Sequence, residues 1–359
     1  MTQIAMLATG DEVTSGDILN TNGQTMARAL TDAGFKVGMH AIVGDDEAAL
    51  TKAILFLLQE HDTLIITGGL GPTSDDRTRF ALGKALNLPL EFSNASWQRI
   101  TDRITGFGYT IPENNKQQAL FPKNATIYPN PNGTADACYI QHNQQHIFML
   151  PGPPNECLHL FTEHVLPTLL KARTTPAQKL YRWRLFNVSE GHIAEQLDAL
   201  LANTSIIPGY RVDYPYIEFK CPLPIDQDHS QLIQQIETII AQYFLSDPYH
   251  KSSQVLHDYL TQTHYKLLIE DHATQGLLES LIHTPATHAH VRFHASNDYH
   301  PDMTLIITGL NAHWQNETTA TKTDLKIVLQ YKNEQEEKTI TIPYRASRTL
   351  RYASECLRL

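Results

Sequence analysis

Apolar and polar positions follow two rhythms along the first 170 residues. Short apolar runs, "IAMLAT" (4–9), "KVGMHAIVG", "TLIITGG" and "HIFMLPG", have the length and the bounding glycines of buried strands. Between them lie stretches with apolar residues at helical spacing. These are "NTNGQTMARALTDAGF", with Met26, Ala29 and Leu30 on one face, "DEAALTKAILFLLQEHD", "SDDRTRFALGKALNL" and "NECLHLFTEHVLPTLL". The alternation predicts an α/β domain over 1–170, a doubly wound, mostly parallel sheet with helices on both faces. Ligands of such sheets bind at the carboxyl ends of the strands.

The rhythm changes after the polar, proline-bearing "KARTTPAQK". Residues 178–247 read as a small α+β domain, with a strand over 181–188, a helix over 193–201, a strand pair in "YRVDYPYIEFKC" and a helix in "HSQLIQQIETIIAQYF". A second break, "LSDPYHKSSQ", leads to an α/β domain over 252–359. It opens with the helix-like "QVLHDYLTQTH", continues with a strand "DMTLIITG" and a hairpin in "DLKIVLQYKNEQEEKTITIPY", and ends in a helix.

Composition narrows the partners. A net charge of −10 over 359 residues argues against a general nucleic-acid binder, which needs a basic surface, but leaves a small phosphorylated ligand open. No run approaches the roughly 18 apolar residues of a membrane span, and the first residues do not read as a signal peptide. Four cysteines without a CxxC pair fit a reduced compartment, so a cytoplasmic location is expected. The 18 histidines are dispersed, with no HExxH, and read as surface and loop residues.

The chemistry concentrates in "TLIITGGLGPTSDD". Gly68, Gly69 and Gly71 let the chain turn sharply and approach a ligand, Pro72 fixes it, and Thr73 or Ser74 is placed to cap the next helix. Amides and the helix dipole at such a turn favour an anion, yet Asp75 and Asp76 follow directly. Two readings stand. First-turn acids complement the helix dipole by a few tenths of a kcal/mol, roughly. Alternatively, they hold a divalent cation between protein and phosphate, as Mg²⁺ is usually bound. Two further junctions carry glycine with acids: Gly10-Asp11-Glu12, followed by Ser15, and Gly44-Asp45-Asp46. In a parallel sheet all three lie on one edge, which favours a metal-assisted phosphate site. Later loops add Asn115-Lys116-Gln117, Asn130 with Gly133 and Thr134, and Gly152-Pro153 leading to Glu156. Lys116 is the one cation near these turns placed to meet a phosphate, or else it is simply solvated.

In this order the segments resemble the CinA family of competence/damage-inducible proteins. The matching pieces are Gly10-Asp11-Glu12 with Ser15-Gly16, Thr21-Asn22, Val43-Gly44-Asp45-Asp46, the Thr67–Asp76 stretch, Asn115-Lys116-Gln117, Asn130–Ala135 and Leu150–Glu156. The wider superfamily is the molybdopterin-binding MoaB/MogA-like fold, in which Asp76 occupies the place of an aspartate that takes part in the chemistry. The resemblance implies hydrolysis of a nucleotide pyrophosphate such as ADP-ribose with a divalent cation (Mg²⁺, Mn²⁺ or Co²⁺). Asp76, Asp11 and Lys116 are then expected in catalysis and Asp45, Asp75 and Asp76 at the metal. Gly10, Glu12, Ser15, Asn22, Gly68, Gly69, Gly71, Pro72, Thr73 and Ser74, with Asn130, Gly133, Thr134, Gly152 and Pro153, are expected around the phosphates and nucleotide. The expected partner is a small-molecule nucleotide, and the chain is expected to form a homodimer. Asn20 stands where the family often has Asp. The middle segment is similar to the family's linker domain through "NVSEGHIAEQLDAL" and "IPGYRVDYPYIEFKC". The last segment departs from the family's nicotinamide mononucleotide deamidase domain. "EDHATQGLL" has His272 where the nucleophilic serine belongs, Ala273 for the cysteine and Gln275 for the first glycine, so deamidase activity is expected to be absent. Two alternatives remain: a non-catalytic nucleotide or pterin sensor, and adenylyl transfer to molybdopterin.

Overall fold

In the computed structural model, residues 3–173, 178–244, 247–296, 298–317, 319–332 and 334–356 are described. The expected breaks between domains fall partly outside them, at 174–177 and 245–246. The chain divides into two compact units, residues 1–180 with 224–227, and residues 181–223 with 228–359.

The first unit is built on β1 (Gln3–Thr9), β2 (Lys36–Val43), β3 (Thr63–Thr67), β4 (Leu90–Phe92), β5 (Leu120–Pro122), β6 (Thr126–Tyr128), β7 (Ala137–His142) and β8 (Gln145–Leu150). Its main sheet has the order β2-β1-β3-β8-β7-β6, with β4 and β5 paired separately. The first four strands run parallel, while β7 and β6 extend the sheet antiparallel. All five residues of β3 are buried, because a central parallel strand is covered on both faces and must be apolar on both. The helices supply those covers. Leu50, Ile54 and Leu57 of the helix Glu47–Glu60 pack on one face with Leu7, Leu64 and Met149. Met26 and Leu30 of the helix Thr21–Asp32 pack on the other with Ile4, Ile65 and Phe148. Register sets the site: Thr9 pairs with Val43, Ala8 with Thr67, and Thr67 with Leu150. Four strands therefore end level on one edge, and the loops that leave them share one side of the sheet.

Sequence pattern misplaces one boundary here. The third helix spans Thr78–Leu86 and is preceded by Arg77 at its N-cap, with no side-chain cap. Thr73 and Ser74 do not cap it, and Asp75 and Asp76 are not in its first turn. The residues from 73 to 77 form a turn of their own, for a reason given below. The strand β7, the helix Asn94–Gly106 and the 3₁₀ segment Glu113–Ala119 lie in stretches where the pattern predicts nothing, whereas β8 is the expected strand "HIFMLPG".

The second unit carries two cores. One gathers Trp183, Leu185, Ile193, Leu197, Phe219 and Ile236 from β9 (Gln178–Phe186), β10 (Gly209–Asp213), β11 (Tyr216–Pro224) and the helices Glu190–Leu201 and Ser230–Ile240. The other lies on a sheet of order β13-β12-β14-β15-β16, formed by β12 (Leu267–Asp271), β13 (Val291–Arg292), β14 (Met303–Gly309), β15 (Lys322–Tyr331) and β16 (Glu334–Pro343). Among the described residues no helix is long and apolar enough to cross a membrane.

Candidate functional site

The level strand ends surround a cavity of about 540 Å³. Of the expected residues, Gly10, Glu12, Asn22 and Asp45 line it from the first two junctions. Gly68, Gly69, Gly71, Pro72, Asp75 and Asp76 line it from the third, and Thr134, Gly152 and Pro153 from the later loops. Asp11, Ser15, Thr73, Ser74, Lys116, Asn130 and Gly133 are not on its wall.

The glycines admit carboxylates. A Cβ on Gly71 would lie 2.4 Å from Asp76 Oδ2, one on Gly44 would lie 2.3 Å from Asp11 Oδ1, and one on Gly133 would lie 1.9 Å from Glu156 Oε2. The carboxylates fill the space left by the missing side chains, and Asp76 and Asp11 take backbone donors there while Glu156 takes the Asn130 side-chain amide. Asp76 accepts from the Gly71 N–H at 2.7 Å and the Thr73 N–H at 2.9 Å, and from the Thr73 hydroxyl. This is why residues 73–77 form a turn rather than helix: Asp76 folds back onto the loop before it. The first two junctions clasp each other reciprocally. The Asp11 amide donates to Asp45 Oδ2 at 3.0 Å, and the Asp45 amide donates to Asp11 Oδ1 at 3.1 Å. Asp46 is a helix cap, accepting from the Ala49 N–H at 2.8 Å.

Burial pushes the Asp45 carboxyl above its ordinary value. The carboxylates of Asp11, Glu12 and Asp75 push it the same way, against the Asp11 amide, which pulls it down. The acids of three junctions thus share one field. Among the described residues, no group of three or more His, Cys, Asp or Glu side chains is arranged to hold a metal.

The carbonyl side of the glycine loop is held from beneath. Arg79 is fully buried and donates to the Leu70 carbonyl at 2.7 Å and the Gly71 carbonyl at 3.4 Å, while its Nε has no partner. Burial lowers its guanidinium to about 10, opposed by the nearby Asp76 charge, so it stays cationic at neutral pH. Gln117 donates to the Gly71 and Thr73 carbonyls at 3.1 and 2.6 Å, and Gln118 to the Leu70 carbonyl at 3.3 Å. Thr78 donates to the Gly68 carbonyl at 2.8 Å. Sequence reasoning missed Arg79, Gln118 and Thr78. The available signal was an arginine among apolar residues of a helix that packs on the sheet.

Lys116 is drawn away, paired with Glu113 at 2.5 Å. Asn130 is architectural: it donates to the Ala135 carbonyl and to Glu156 Oε2, and accepts from the Asn132 and Gly133 amides. Ser15 bonds Asp17 in an exposed turn. The Asn22 side-chain amide donates to the Gly152 carbonyl at 2.7 Å, joining the first helix to the loop after β8.

In the second unit the "EDHATQGLL" turn follows β12. Asp271 accepts from the Ala273 and Thr274 amides at 3.0 and 2.8 Å, and from the Thr274 hydroxyl. Ala273 and Thr274 are buried, and His272 is exposed.

The domain that carries this sheet edge is of the molybdopterin-binding type. The family described as "Probable molybdopterin binding domain" matches residues 5–171. The chain is 31% identical over 283 residues to a protein of a Thermoanaerobacter species described as competence-damage inducible, covering 77% of this chain and 68% of that one. It is 36% identical over 220 residues to a CinA-like protein of Geobacter sulfurreducens, covering 61% of this chain and 53% of that one. A solved structure of a CinA protein of unknown function from Thermoplasma acidophilum is 25% identical and covers 46% of this chain and 97% of its own, with a TM-score of 0.44. The chain belongs to the CinA family of competence-damage inducible proteins.

Proposed function

We propose that the first unit hydrolyses a nucleotide pyrophosphate of the ADP-ribose type with the help of a divalent cation. The supporting observation is the crowding of carboxylates from three strand junctions around a glycine-walled cavity on one sheet edge. A carboxylate crowded by others, as Asp45 is by Asp11, Glu12 and Asp75, attracts a cation, and a pyrophosphate brings more negative charge for that cation to offset.

The residues fit such an ion. Their donors are hard carboxylate oxygens, and Mg²⁺ typically uses one or two of them together with phosphate oxygens and water, so a three-residue cage is not required. Asp45 and Asp75 would hold it: both line the cavity, and although Asp45 accepts from the Asp11 amide and Asp75 from Thr73, each carboxylate keeps lone pairs for an ion. When bound, a divalent cation offsets phosphoryl charge and favours attack by water. Around it, Gly68, Gly69 and Gly152 keep the wall free of side chains so that a phosphate can approach the backbone. Asp76 orders the loop, and Arg79 offsets its charge from below. Glu12, which lines the cavity from the first junction, would orient a water.

The engagement of Asp76 with loop amides favours a second reading, in which the site binds a nucleotide or pterin without turnover. Incubation with ADP-ribose and Mg²⁺, Mn²⁺ or Co²⁺, followed by chromatography for AMP, separates the two. AMP formation that is lost in Asp76→Ala supports hydrolysis. Tight binding without AMP supports the second reading.

A further inference from the structure

The second unit holds a cavity of about 390 Å³ whose lining residues belong to none of the family motifs. Tyr259 and Tyr265 stack with ring centroids 6.2 Å apart and planes 14° apart, and the Tyr265 and Tyr331 hydroxyls are hydrogen-bonded. Three phenol rings therefore stand on its wall, over a floor of Met303 and Leu329. Glu334 and Glu336 complete it, both from β16, the outer strand of the five-stranded sheet. Glu334 lies opposite Tyr331 and Glu336 opposite Leu329, so both carboxylates share the face of those residues. Glu337, on the other face, pairs with Lys326 at 2.7 Å. Glu334 and Glu336 have no ion-pair partner among the described residues.

Ring faces carry negative quadrupole potential and attract cations, most strongly when a desolvated apolar wall surrounds them. The chain already shows this preference, since Lys332 Nζ lies 4.8 Å from the Tyr331 ring centroid. Two uncompensated carboxylates beside three rings ask for a positive charge with an apolar skirt. A metal ion does not match: hard cations prefer oxygen cages to phenol faces. A phosphate or carboxylate ligand would meet like charge.

We propose that this cavity binds a small organic cation, an alkylammonium or guanidinium group, with the tyrosine rings as walls and Glu334 and Glu336 as counter-charges. The competing account is that the glutamates only guard an exposed sheet edge against pairing with another chain. That account needs the charges but not the rings, and it predicts no ligand.

Saturation-transfer NMR on the full chain decides between them. The probes are choline, its uncharged carbon isostere 3,3-dimethyl-1-butanol, and agmatine for the guanidinium arm. Choline, agmatine or both should give a saturable signal, and the neutral isostere should bind about tenfold more weakly. Tyr265→Leu and Glu336→Gln should each weaken the cation several-fold, with Lys332→Gln strengthening it by removing the internal competitor. Melting curves check that the variants are folded, and Tyr259→Leu replaces any that is not. No signal from either cation, equal binding of the isostere, or unchanged binding in the variants would overturn the proposal and leave Glu334 and Glu336 as edge guards.

Discussion

Gly71→Ala tests whether a carboxylate organises the central loop. The new Cβ would lie 2.4 Å from Asp76 Oδ2 and 2.9 Å from its Cγ, closer than such atoms can pack. Gly71 does not have a positive φ, so the backbone itself tolerates alanine. The carboxylate must therefore leave, giving up the Gly71 and Thr73 amides and the Thr73 hydroxyl. Hydrogen bonds to a charged group contribute about 1.5–3 kcal/mol each, and the partly exposed Thr73 end belongs at the low side. Alanine offsets about 0.4–1 kcal/mol by restricting the unfolded chain. The net loss is about 4 kcal/mol, or a drop of about 8–16 °C in melting temperature for a unit of this size. Scanning calorimetry of the single variants and of the Gly71→Ala, Asp76→Ala double variant completes a cycle. In the Asp76→Ala background Gly71→Ala should cost nothing. An equal loss in both backgrounds would show that the glycine serves the backbone and not the carboxylate.

Three further outcomes follow from the same geometry. The folded Asp45 carboxyl is raised above 3.8, so its stabilising protonated form is fully present below that value and is lost as pH rises through the raised one. Asp45→Asn, which still accepts from the Asp11 amide, should raise the melting temperature at pH 7 but not at about pH 3, and should remove most of any stabilisation by added Mg²⁺. Arg79→Met leaves the Leu70 carbonyl with the longer Gln118 bond alone and Asp76 without its buried counter-charge. It should cost about 3 kcal/mol, read as a fall in denaturant midpoint at constant slope. The turn after β12 offers no serine, and its one hydroxyl, on Thr274, is buried and bonded to Asp271. Nicotinamide mononucleotide should release no ammonia in a coupled assay, and measurable release would contradict this reading.

Sequence pattern made the parallel sheet legible because its signal is strong and local: continuous apolar strands and helical faces such as Met26 with Leu30. The meeting of three acidic junctions on one edge was legible for the same reason, since parallel strands separated by helices leave their carboxyl ends together. What escaped was non-local. Spacing cannot show that Asp76 turns back onto amides five and three residues earlier, so the helix start was set too early. Nor can it show that Arg79 reaches beneath the loop, or that Glu113 draws Lys116 off the site. A cavity of tyrosines from two segments far apart in the chain leaves no periodic trace at all.

The central claim is that a cation lies between the acids and a pyrophosphate. A crystal soaked with ADP-ribose and Mn²⁺, measured at the manganese edge, tests it most directly. The account predicts an anomalous peak bridging the phosphates to Asp45 and Asp75, with the pyrophosphate against the glycine turns. Nucleotide density at that loop without a metal peak, or a peak elsewhere in the chain, would contradict it.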